Sequence, residues 1–324
     1  MKSSSVRKGS PLVAEGPSLG ENPSWGDGKE VTRRGAAETA IDKTLVNHRF
    51  SRVVESYHRE AVAQRQIVER LVNLLQRESV SFPSRPHVLE IGCGTGFLTR
   101  PLVDCLQPGC LVLNDLCAEM SRCYDDWLSE SPASPSQSGS LGLPSQGISP
   151  ASPSHGIPGE VHFLAGDAEA LLFPGGQDLI VSCSVLQWFT APEIFFSRCA
   201  RLLKADGCLA FSTFGGDNLK EVTALTGAGL TYRSLEAWKT LLAPHFDVLY
   251  AGEERIGLTF DRPQDVLYHL KHTGVTAVRR EAWTPGDLRR FCNDYVQTYG
   301  GPDGQVPLTY HPLYFLARPR PGVR

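Results

Sequence analysis

The chain has 324 residues, an apolar content of 41% and a formal net charge of −3, with a pI of about 6.3. This length suits one large domain or two small ones, and the mild acidity argues against general nucleic-acid binding. The nine cysteines lack metal-type spacing, so we expect reduced thiols in the cytoplasm and no metal site. No apolar run approaches the ~20 residues that span a bilayer, so we expect no membrane association.

The N-terminal region divides into a polar part and a helical part. Residues 1–40 are rich in Ser, Gly, Glu and Lys and show no apolar period, which predicts a disordered extension. Apolar spacing then predicts an amphipathic helix around Phe50–Tyr57 and a second one around Ile67–Leu75. Pro83 and Pro86 separate these helices from the first strand.

Strands and helices alternate through the middle of the chain, which predicts a parallel sheet with helices on both faces. The predicted strands lie near 87–91, 110–114, 161–164, 178–183 and 207–213, with a helix at Pro192–Leu203 before the last of them. The order then changes. We expect a strand near 246–260, helices near 263–273 and 284–297, and a final strand at Pro307–Ala317.

Residues 129–159 do not fit this alternation. Ser, Pro and Gly dominate the segment, and the sequence Ser131–Ser136 recurs unchanged at Ser149–Ser154. Such a composition cannot bury enough apolar surface to offset the entropy lost on ordering. We therefore predict a flexible surface insertion before the third strand.

The first strand ends in a glycine-rich turn, Glu90-Ile91-Gly92-Cys93-Gly94-Thr95-Gly96, and Asp115 follows the second strand. Glycines let the backbone approach a ligand closely, and an acid after the second strand can accept both hydroxyls of a ribose. Dinucleotide enzymes usually carry a further glycine where this chain has Phe97.

This pattern resembles the first motif of S-adenosylmethionine-dependent methyltransferases. The resemblance implies an α/β, Rossmann-like, seven-stranded class I fold with a mostly parallel sheet, an antiparallel last strand and helices inserted between strands 6 and 7. We place this domain at residues 41–318, followed by a short tail at 319–324.

The resemblance also assigns the S-adenosylmethionine contacts. Backbone amides of Gly92, Gly94 and Gly96 approach the amino-acid end of the cofactor, and Glu90 reaches its ammonium. Asp115 holds the ribose hydroxyls as a charge-assisted acceptor.

Further contacts follow the third and fourth strands. Asp167 is expected against the adenine amino group, although it could instead cap a following helix. Ser184 is expected at the cofactor, and Gln187 and Trp188 at its sulfonium and methyl path. The alternative for Trp188 is core packing.

A narrower resemblance, to the malonyl-[acyl-carrier-protein] O-methyltransferases of biotin synthesis, covers residues 41–318. It rests on 49–52, Tyr57, 63–66, 184–189, 211–215, 270–275 and 307–311. It implies methyl transfer to the free carboxylate of malonyl-acyl carrier protein or malonyl-CoA. A carboxylate has a reference pKa near ~4 and is ionised at neutral pH, so no general base is required.

Substrate contacts are implied by position in these family-like segments. Lys271, Tyr310 and His311 would grip the malonyl carboxylate, and Tyr57 would cover the cofactor. Because side chains alternate along a strand, only one of Tyr310 and His311 would face the site. We expect a monomer that docks the acidic carrier protein on a basic rim formed by Arg279, Arg280, Arg289 and Arg290.

Other functions stay open at this stage. Assembly factors of respiratory complex I share the scaffold and a segment like Phe214-Gly215-Gly216-Asp217, and some act on a protein arginine. The remaining alternatives are a small-molecule methyltransferase and a non-catalytic scaffold that binds S-adenosylmethionine.

Overall fold

The computed structural model describes residues 41–51, 61–77, 80–128, 158–273 and 283–322, which all belong to the unit Glu38–Arg324. The predicted extension 1–40 and all but the last two residues of the predicted insertion 129–159 lie outside the described residues. The domain boundaries therefore stay predictions.

A seven-stranded sheet with the order β3-β2-β1-β4-β5-β9-β6 forms the centre of the described unit. Its first five strands in this order pair in parallel, and β9 runs antiparallel between β5 and β6. This arrangement confirms the predicted fold class. The strands are β1 (His87–Ile91), β2 (Cys110–Asp115), β3 (Glu160–Ala165), β4 (Gln177–Cys183), β5 (Leu203–Phe214), β6 (Phe246–Glu253), β7 (Ile256–Phe260), β8 (Val306–Tyr310) and β9 (Pro312–Pro319).

Helices cover both faces of this sheet. Their apolar side chains join those of the strands in two buried clusters, one on each face. None of the helices within the described residues has the length and apolarity needed to cross a membrane. The helices are α1 (Lys43–Ser51), α2 (Val62–Arg77), α3 (Thr99–Leu106), α4 (Asp125–Leu128), α5 (Pro192–Leu202), α6 (Lys220–Thr226), α7 (Leu235–Leu242), α8 (Pro263–His272) and α9 (Pro285–Tyr299), with short 3₁₀ turns at Ala118–Tyr124 and Leu186–Trp188.

The N-terminal helices differ in how well the sequence pattern located them. Helix α1 begins at Lys43, earlier than the helix predicted around Phe50–Tyr57, most of which lies outside the described residues. Helix α2 contains the whole of the second predicted segment, and its apolar residues Ile67 and Leu71 are fully buried.

The C-terminal strands correct the prediction. The expected strand at 246–260 is two strands, β6 and β7, and the expected strand at Pro307–Ala317 is divided at His311 into β8 and β9. β6 pairs with β9 in the main sheet, whereas β7 pairs with β8 in a separate two-stranded sheet. An alternating pattern reports extended backbone but not which neighbour the backbone pairs with, so the sequence could not reveal the break.

An aromatic cluster fills one face of the sheet. Phe211 on β5 stacks on Phe315 of β9, with ring centroids 4.8 Å apart and an interplanar angle of 18°. Phe196 of α5 and Trp238 of α7 both pack on the Phe211 ring, so this ring connects two helices to the sheet. Large aromatic side chains dominate core energetics, so the helices on this face depend on Phe211.

We therefore predict that Phe211→Ala lowers the free energy of unfolding by about 3–5 kcal/mol, because it removes a ring with several aromatic neighbours and leaves a cavity. Urea denaturation measures the change. The control is Leu172→Ala, whose side chain is 89% exposed and whose replacement is expected to change stability by less than about 0.5 kcal/mol. Equal effects of the two substitutions would contradict the proposed role of the cluster.

Candidate functional site: a pocket at the carboxyl ends of the parallel strands

A deep pocket opens where β1, β2 and β4 end. The strands are in register there, with Ile91 opposite both Asn114 and Ser182, so the loops that follow them meet at one edge. Open α/β sheets bind ligands at this edge. The lining comes from the glycine turn, from the segments after β2, β3 and β4, and from α1 and α2.

The glycine turn gives the pocket its shape. Gly92, Gly94 and Gly96 all have positive φ angles, of 70°, 52° and 94°, in the left-handed region that disfavours other residues. A Cβ atom on Gly92 would lie 2.3 Å from a methyl carbon of Val185. All three positions therefore demand glycine by conformation, and Gly92 demands it by contact as well.

The amides of the three glycines already have acceptors within the protein. Gly92 donates to the Asn114 carbonyl at 2.8 Å, Gly94 donates to the Asp115 carboxylate at 2.9 Å, and Gly96 donates to the Cys93 carbonyl at 3.1 Å. The amides instead hold the turn in its conformation. What the glycines offer a ligand here is close approach rather than hydrogen-bond donors.

Asp115 lies in the pocket with its carboxylate fixed at both oxygens. One oxygen accepts the Gly94 amide and the other accepts the Cys117 amide, each at 2.9 Å. Burial raises the pKa of Asp115, while the backbone amides oppose that rise. The Leu116 amide donates to this carboxylate as well, and the remaining lone pair is available to a ligand hydroxyl.

Two buried acceptor oxygens open into the pocket without a hydrogen-bond partner among the described residues. They are Oε2 of Glu90 on β1 and Oε1 of Gln64 on α2, whose residues are 1% and 5% exposed. Burial raises the pKa of Glu90 to about 8; a hydrogen bond from Thr99 opposes this, and Asp115 adds to it. Two unpartnered acceptors in one pocket indicate a ligand that brings donors, and a cation would suit Glu90 best.

Tyr124, which was not predicted as a site residue, stabilises the glycine turn. The Tyr124 hydroxyl donates to the Cys93 carbonyl at 3.0 Å and is also 3.0 Å from the Thr99 hydroxyl. Burial raises the pKa of Tyr124 well above its ordinary value, so this hydroxyl keeps its proton. A lone tyrosine in a 3₁₀ turn carries no sequence signal for this role.

Asp167 lines the pocket and takes part in a charged cluster. Its carboxylate accepts from Lys43 of α1 at 2.7 Å and from the Glu169 amide at 2.9 Å. Lys43 also pairs with Glu169, which in turn accepts the Thr190 and Ala191 amides. Asp167 thus caps a single turn, not a helix, and it is also one of the residues that line the pocket.

The segment after β4 places Ser184 and Trp188 in the pocket, but Gln187 is not among the lining residues. Ser184 has a φ angle of 59°, a strained conformation for a residue other than glycine. The Gln187 amide nitrogen donates to the Ser184 carbonyl at 2.6 Å, and Thr213 donates to its oxygen. Gln187 therefore braces the strained turn.

Trp188 forms an aromatic wall with α1. The Phe50 ring meets it edge to face, with centroids 6.2 Å apart and an interplanar angle of 83°. Both rings line the pocket. Phe50 belongs to the family-like segment 49–52 but was not predicted as a site residue. It lies far from Trp188 along the chain, so the sequence gives no sign that the two rings are in contact.

Three cysteines line the pocket, and none is suited to nucleophilic attack. Burial raises the pKa of Cys183 to about 11 and that of Cys117 to about 12, and burial raises that of Cys93 well above its ordinary value. These thiols stay protonated at neutral pH, whereas thiolate is the reactive form. These three cysteines are therefore not suited to forming a covalent intermediate.

Tyr310 and His311, expected at the substrate, are not among the pocket residues. Tyr310 is fully buried, its hydroxyl is 2.8 Å from Nε2 of His269, and the Gln64 side chain lies against it. Burial raises the pKa of Tyr310 well above its ordinary value. Tyr310 thus lies behind Gln64, one residue away from the pocket surface.

The His311 ring connects the break between β8 and β9 to the segment that follows β5. Its Nδ1 accepts the Asp217 amide at 3.1 Å, and its Nε2 is 3.2 Å from the Glu253 carboxylate. The ring also fills the space over Gly215, where a Cβ would come within 2.6 Å of it. The expectation of strict alternation between Tyr310 and His311 was wrong, because His311 lies between two strands rather than within one.

The predicted basic contacts are only partly described. Lys271 is exposed in the last turn of α8, and Arg290 on α9 pairs with Asp287 at 2.9 Å. Arg289 lies beside it on the same exposed helix segment. Tyr57, Arg279 and Arg280 lie outside the described residues.

Comparisons with solved structures support the fold alone. Residues 89–211 match the methyltransferase domain family. A crystal structure of a proposed methyltransferase from Bacillus halodurans has a TM-score of 0.50 and 15% identity, covering 77% of this chain and 98% of that one. The YcgJ protein of Bacillus subtilis has the same TM-score and identity, covering 78% of this chain and 100% of that one.

Curated relatives extend over most of the chain. The malonyl-[acyl-carrier protein] O-methyltransferase of Bacteroides thetaiotaomicron is 43% identical over 289 residues, which cover 86% of this chain and 98% of the relative. The proteins of the same name from Porphyromonas gingivalis and Haemophilus influenzae are 41% and 38% identical, each covering 86% of this chain and 96% of the relative. The family resemblance predicted from the sequence is confirmed: this chain belongs to the malonyl-[acyl-carrier protein] O-methyltransferase family.

Proposed function

We propose that this chain transfers a methyl group from S-adenosylmethionine to the free carboxylate of a malonyl group on acyl carrier protein. The observation that carries the proposal is the match to the Bacteroides thetaiotaomicron relative over 98% of its length. The product is a malonyl methyl ester, in which a charged chain end has become an apolar one.

The pocket residues complement the parts of S-adenosylmethionine. Glu90 and Gln64 offer acceptor oxygens to the ammonium, and Asp115 offers its carboxylate to the ribose hydroxyls. Asp167 is the acceptor for the adenine amino group and shares its charge with Lys43. Each of these side chains lines the same pocket, which supports the use of S-adenosylmethionine as methyl donor.

The chemistry requires alignment rather than proton transfer. S-adenosylmethionine supplies a methyl group activated by a sulfonium. One oxygen of the malonyl carboxylate attacks the methyl carbon while the carbon–sulfur bond breaks, and the thioester stays intact. With a reference pKa near ~4, this carboxylate carries its charge at neutral pH, so rate comes from positioning and from removing its water.

The wall formed by Phe50 and Trp188 is suited to that removal of water. Its rings meet edge to face in the pocket lining, and Val185 and Phe97 add further apolar lining. A carboxylate that enters between these groups exchanges hydration for an apolar surface, which strengthens its attraction to the sulfonium. In this proposal Trp188 is the residue that flanks the methyl path.

We propose that exposed cations, rather than the buried pair Tyr310 and His311, bind the malonyl carboxylate. Tyr310 and His311 already have hydrogen-bond partners within the protein. We propose that Tyr310 positions the Gln64 side chain and that His311 stabilises the break between β8 and β9. Lys271 is exposed and keeps its proposed role in binding the acid end. Arg289 and Arg290 on α9 would contribute to the surface that docks the acidic carrier protein, with malonyl-CoA as the smaller alternative substrate.

We predict that the protein, given S-adenosylmethionine and malonyl-acyl carrier protein, adds one methyl group to the malonyl end. Mass spectrometry of the carrier protein measures the product. Acetyl-acyl carrier protein, which has no free carboxylate, is the control and is expected to stay unmodified. Complementation of a biotin auxotroph blocked at this methylation tests the same activity in cells. A folded protein that binds S-adenosylhomocysteine but leaves malonyl-acyl carrier protein unchanged would refute the proposal.

The raised pKa of Glu90 predicts a pH dependence of cofactor binding. Below its pKa of about 8 this carboxyl is mainly protonated, whereas an ammonium ligand favours the ionised form. Affinity for S-adenosylhomocysteine should therefore rise by up to about tenfold per pH unit from about pH 6 and level off above about pH 8. Calorimetry measures this. Glu90→Gln should bind weakly with little pH dependence, and a flat profile in the unaltered protein would rule out the proposed contact.

Gln64 provides a separate test of the ammonium contact. Gln64→Leu removes the acceptor and keeps a similar volume, so affinity for S-adenosylhomocysteine should fall by roughly tenfold, as for a hydrogen bond to a charged group of about 1.5 kcal/mol. Methylthioadenosine lacks the amino-acid end and serves as the matched ligand control. Its affinity should stay unchanged, and a parallel loss for both ligands would show that Gln64 acts on the pocket as a whole.

A further inference from the structure

Three potential metal ligands meet at the amino-terminal ends of β2 and β3. Cys110 is the first residue of β2 and lies opposite Glu160, the first residue of β3. His162 lies two positions further along β3, opposite Val112. Because alternate residues of a strand point to one side, Cys110, Glu160 and His162 share one face of the sheet.

Their spacing is close to that of a coordinated ion. Nε2 of His162 is 3.0 Å from Oε1 of Glu160, and the ligand atoms of all three residues lie within 4.8 Å of one another. Two ligands on a tetrahedral Zn²⁺ are separated by roughly 3.3–3.5 Å, given bonds of about 2.0–2.3 Å. The three side chains would therefore need to close by only about 1 Å, which side-chain rotation can supply.

The donor set selects the kind of ion. A thiolate, an imidazole and a carboxylate suit Zn²⁺ and Co²⁺, whereas Mg²⁺ and Ca²⁺ prefer oxygen ligands alone. The Glu160 and His162 side chains are 46% and 37% exposed, so an ion can reach them from solvent. Both strands are held in the sheet, which fixes the backbone of the ligands before the ion arrives.

We propose that Cys110, Glu160 and His162 form a binding site for Zn²⁺, with water as the fourth ligand. None of the three lines the pocket, which lies at the opposite ends of the same strands. The ion would therefore not take part in methyl transfer. It would link β3, which lies at one edge of the sheet, to β2. The linked end of β3 is close to residue 158, where the described chain resumes.

Ligand spacing along the chain predicted no metal site, because metal-type motifs bring their ligands close together in sequence. Cys110 and Glu160 are 50 positions apart, and only the pairing of β2 with β3 brings them together. The proposal is independent of the substrate of the enzyme.

Co²⁺ is the probe, because a cobalt–thiolate bond gives a charge-transfer band in the near ultraviolet and a tetrahedral site gives intense visible bands. The experiment uses the full-length, untagged, reduced protein, titrated with Co²⁺ and then with Zn²⁺ as competitor. We expect one equivalent of Co²⁺ with a thiolate band that Zn²⁺ displaces. Zn²⁺ should also raise the melting temperature, since it binds the folded state.

Variants locate the ion. Cys110→Ser should abolish the thiolate band, and His162→Gln should weaken Co²⁺ binding by roughly tenfold or more, with far-ultraviolet circular dichroism confirming that both variants fold. The matched control is Cys105→Ser, which alters an exposed cysteine outside the site and should leave the spectrum unchanged. Absence of a thiolate band, its persistence in Cys110→Ser, or its loss in Cys105→Ser would each overturn the proposal.

Discussion

The coupling between the ends of β1 and β2 is the constraint on which the pocket depends. The Asn114 carbonyl accepts the amides of both Gly92 and Cys93. The Asn114 side chain donates to the Leu164 carbonyl near the end of β3 and to the Gly166 carbonyl just after it. Asp115 then accepts the Gly94 amide. Two adjacent residues at the end of one strand thus fix the glycine turn on one side and the third strand on the other.

This coupling explains why the glycines are needed although their amides are already bonded. A turn that bends back onto β2 requires left-handed backbone at three positions, and L side chains disfavour that region. The Tyr124 hydroxyl holds the carbonyls of the turn from the opposite side. With the amides of its three glycines used internally, the turn offers a ligand close approach to the backbone.

Two acceptor oxygens of the same pocket, unlike the glycine amides, have no hydrogen-bond partner among the described residues. Oε2 of Glu90 and Oε1 of Gln64 are buried without partners, and an unsatisfied buried polar group typically costs about 1–3 kcal/mol. The protein without ligand therefore carries an unfavourable contribution that a donor-rich, cationic ligand removes. Together with the protonated thiols nearby, this favours binding of a sulfonium-bearing substrate and direct transfer, in agreement with the family of the chain.

Much of the fold followed from the sequence because its signals are local. The alternation of strands and helices, the glycine turn and Asp115 all lie within short windows, and periodicity within a window reports the element directly. The C-terminal strands show where such signals fail. The predicted strands ran through Glu254 and through His311, although the chain changes sheets at both places.

The sequence by itself determined the class of fold, the edge of the sheet that carries the pocket and the family, because these depend on motifs in chain order. Only the tertiary structure decided that Gln64, Lys43 and Phe50 join the pocket, and that Tyr310 and His311 lie outside its lining. The physical reason is that these placements depend on contacts between residues far apart in the chain. Packing of α1 and α2 over the sheet, and the break between β8 and β9, create those contacts, and no local pattern records them.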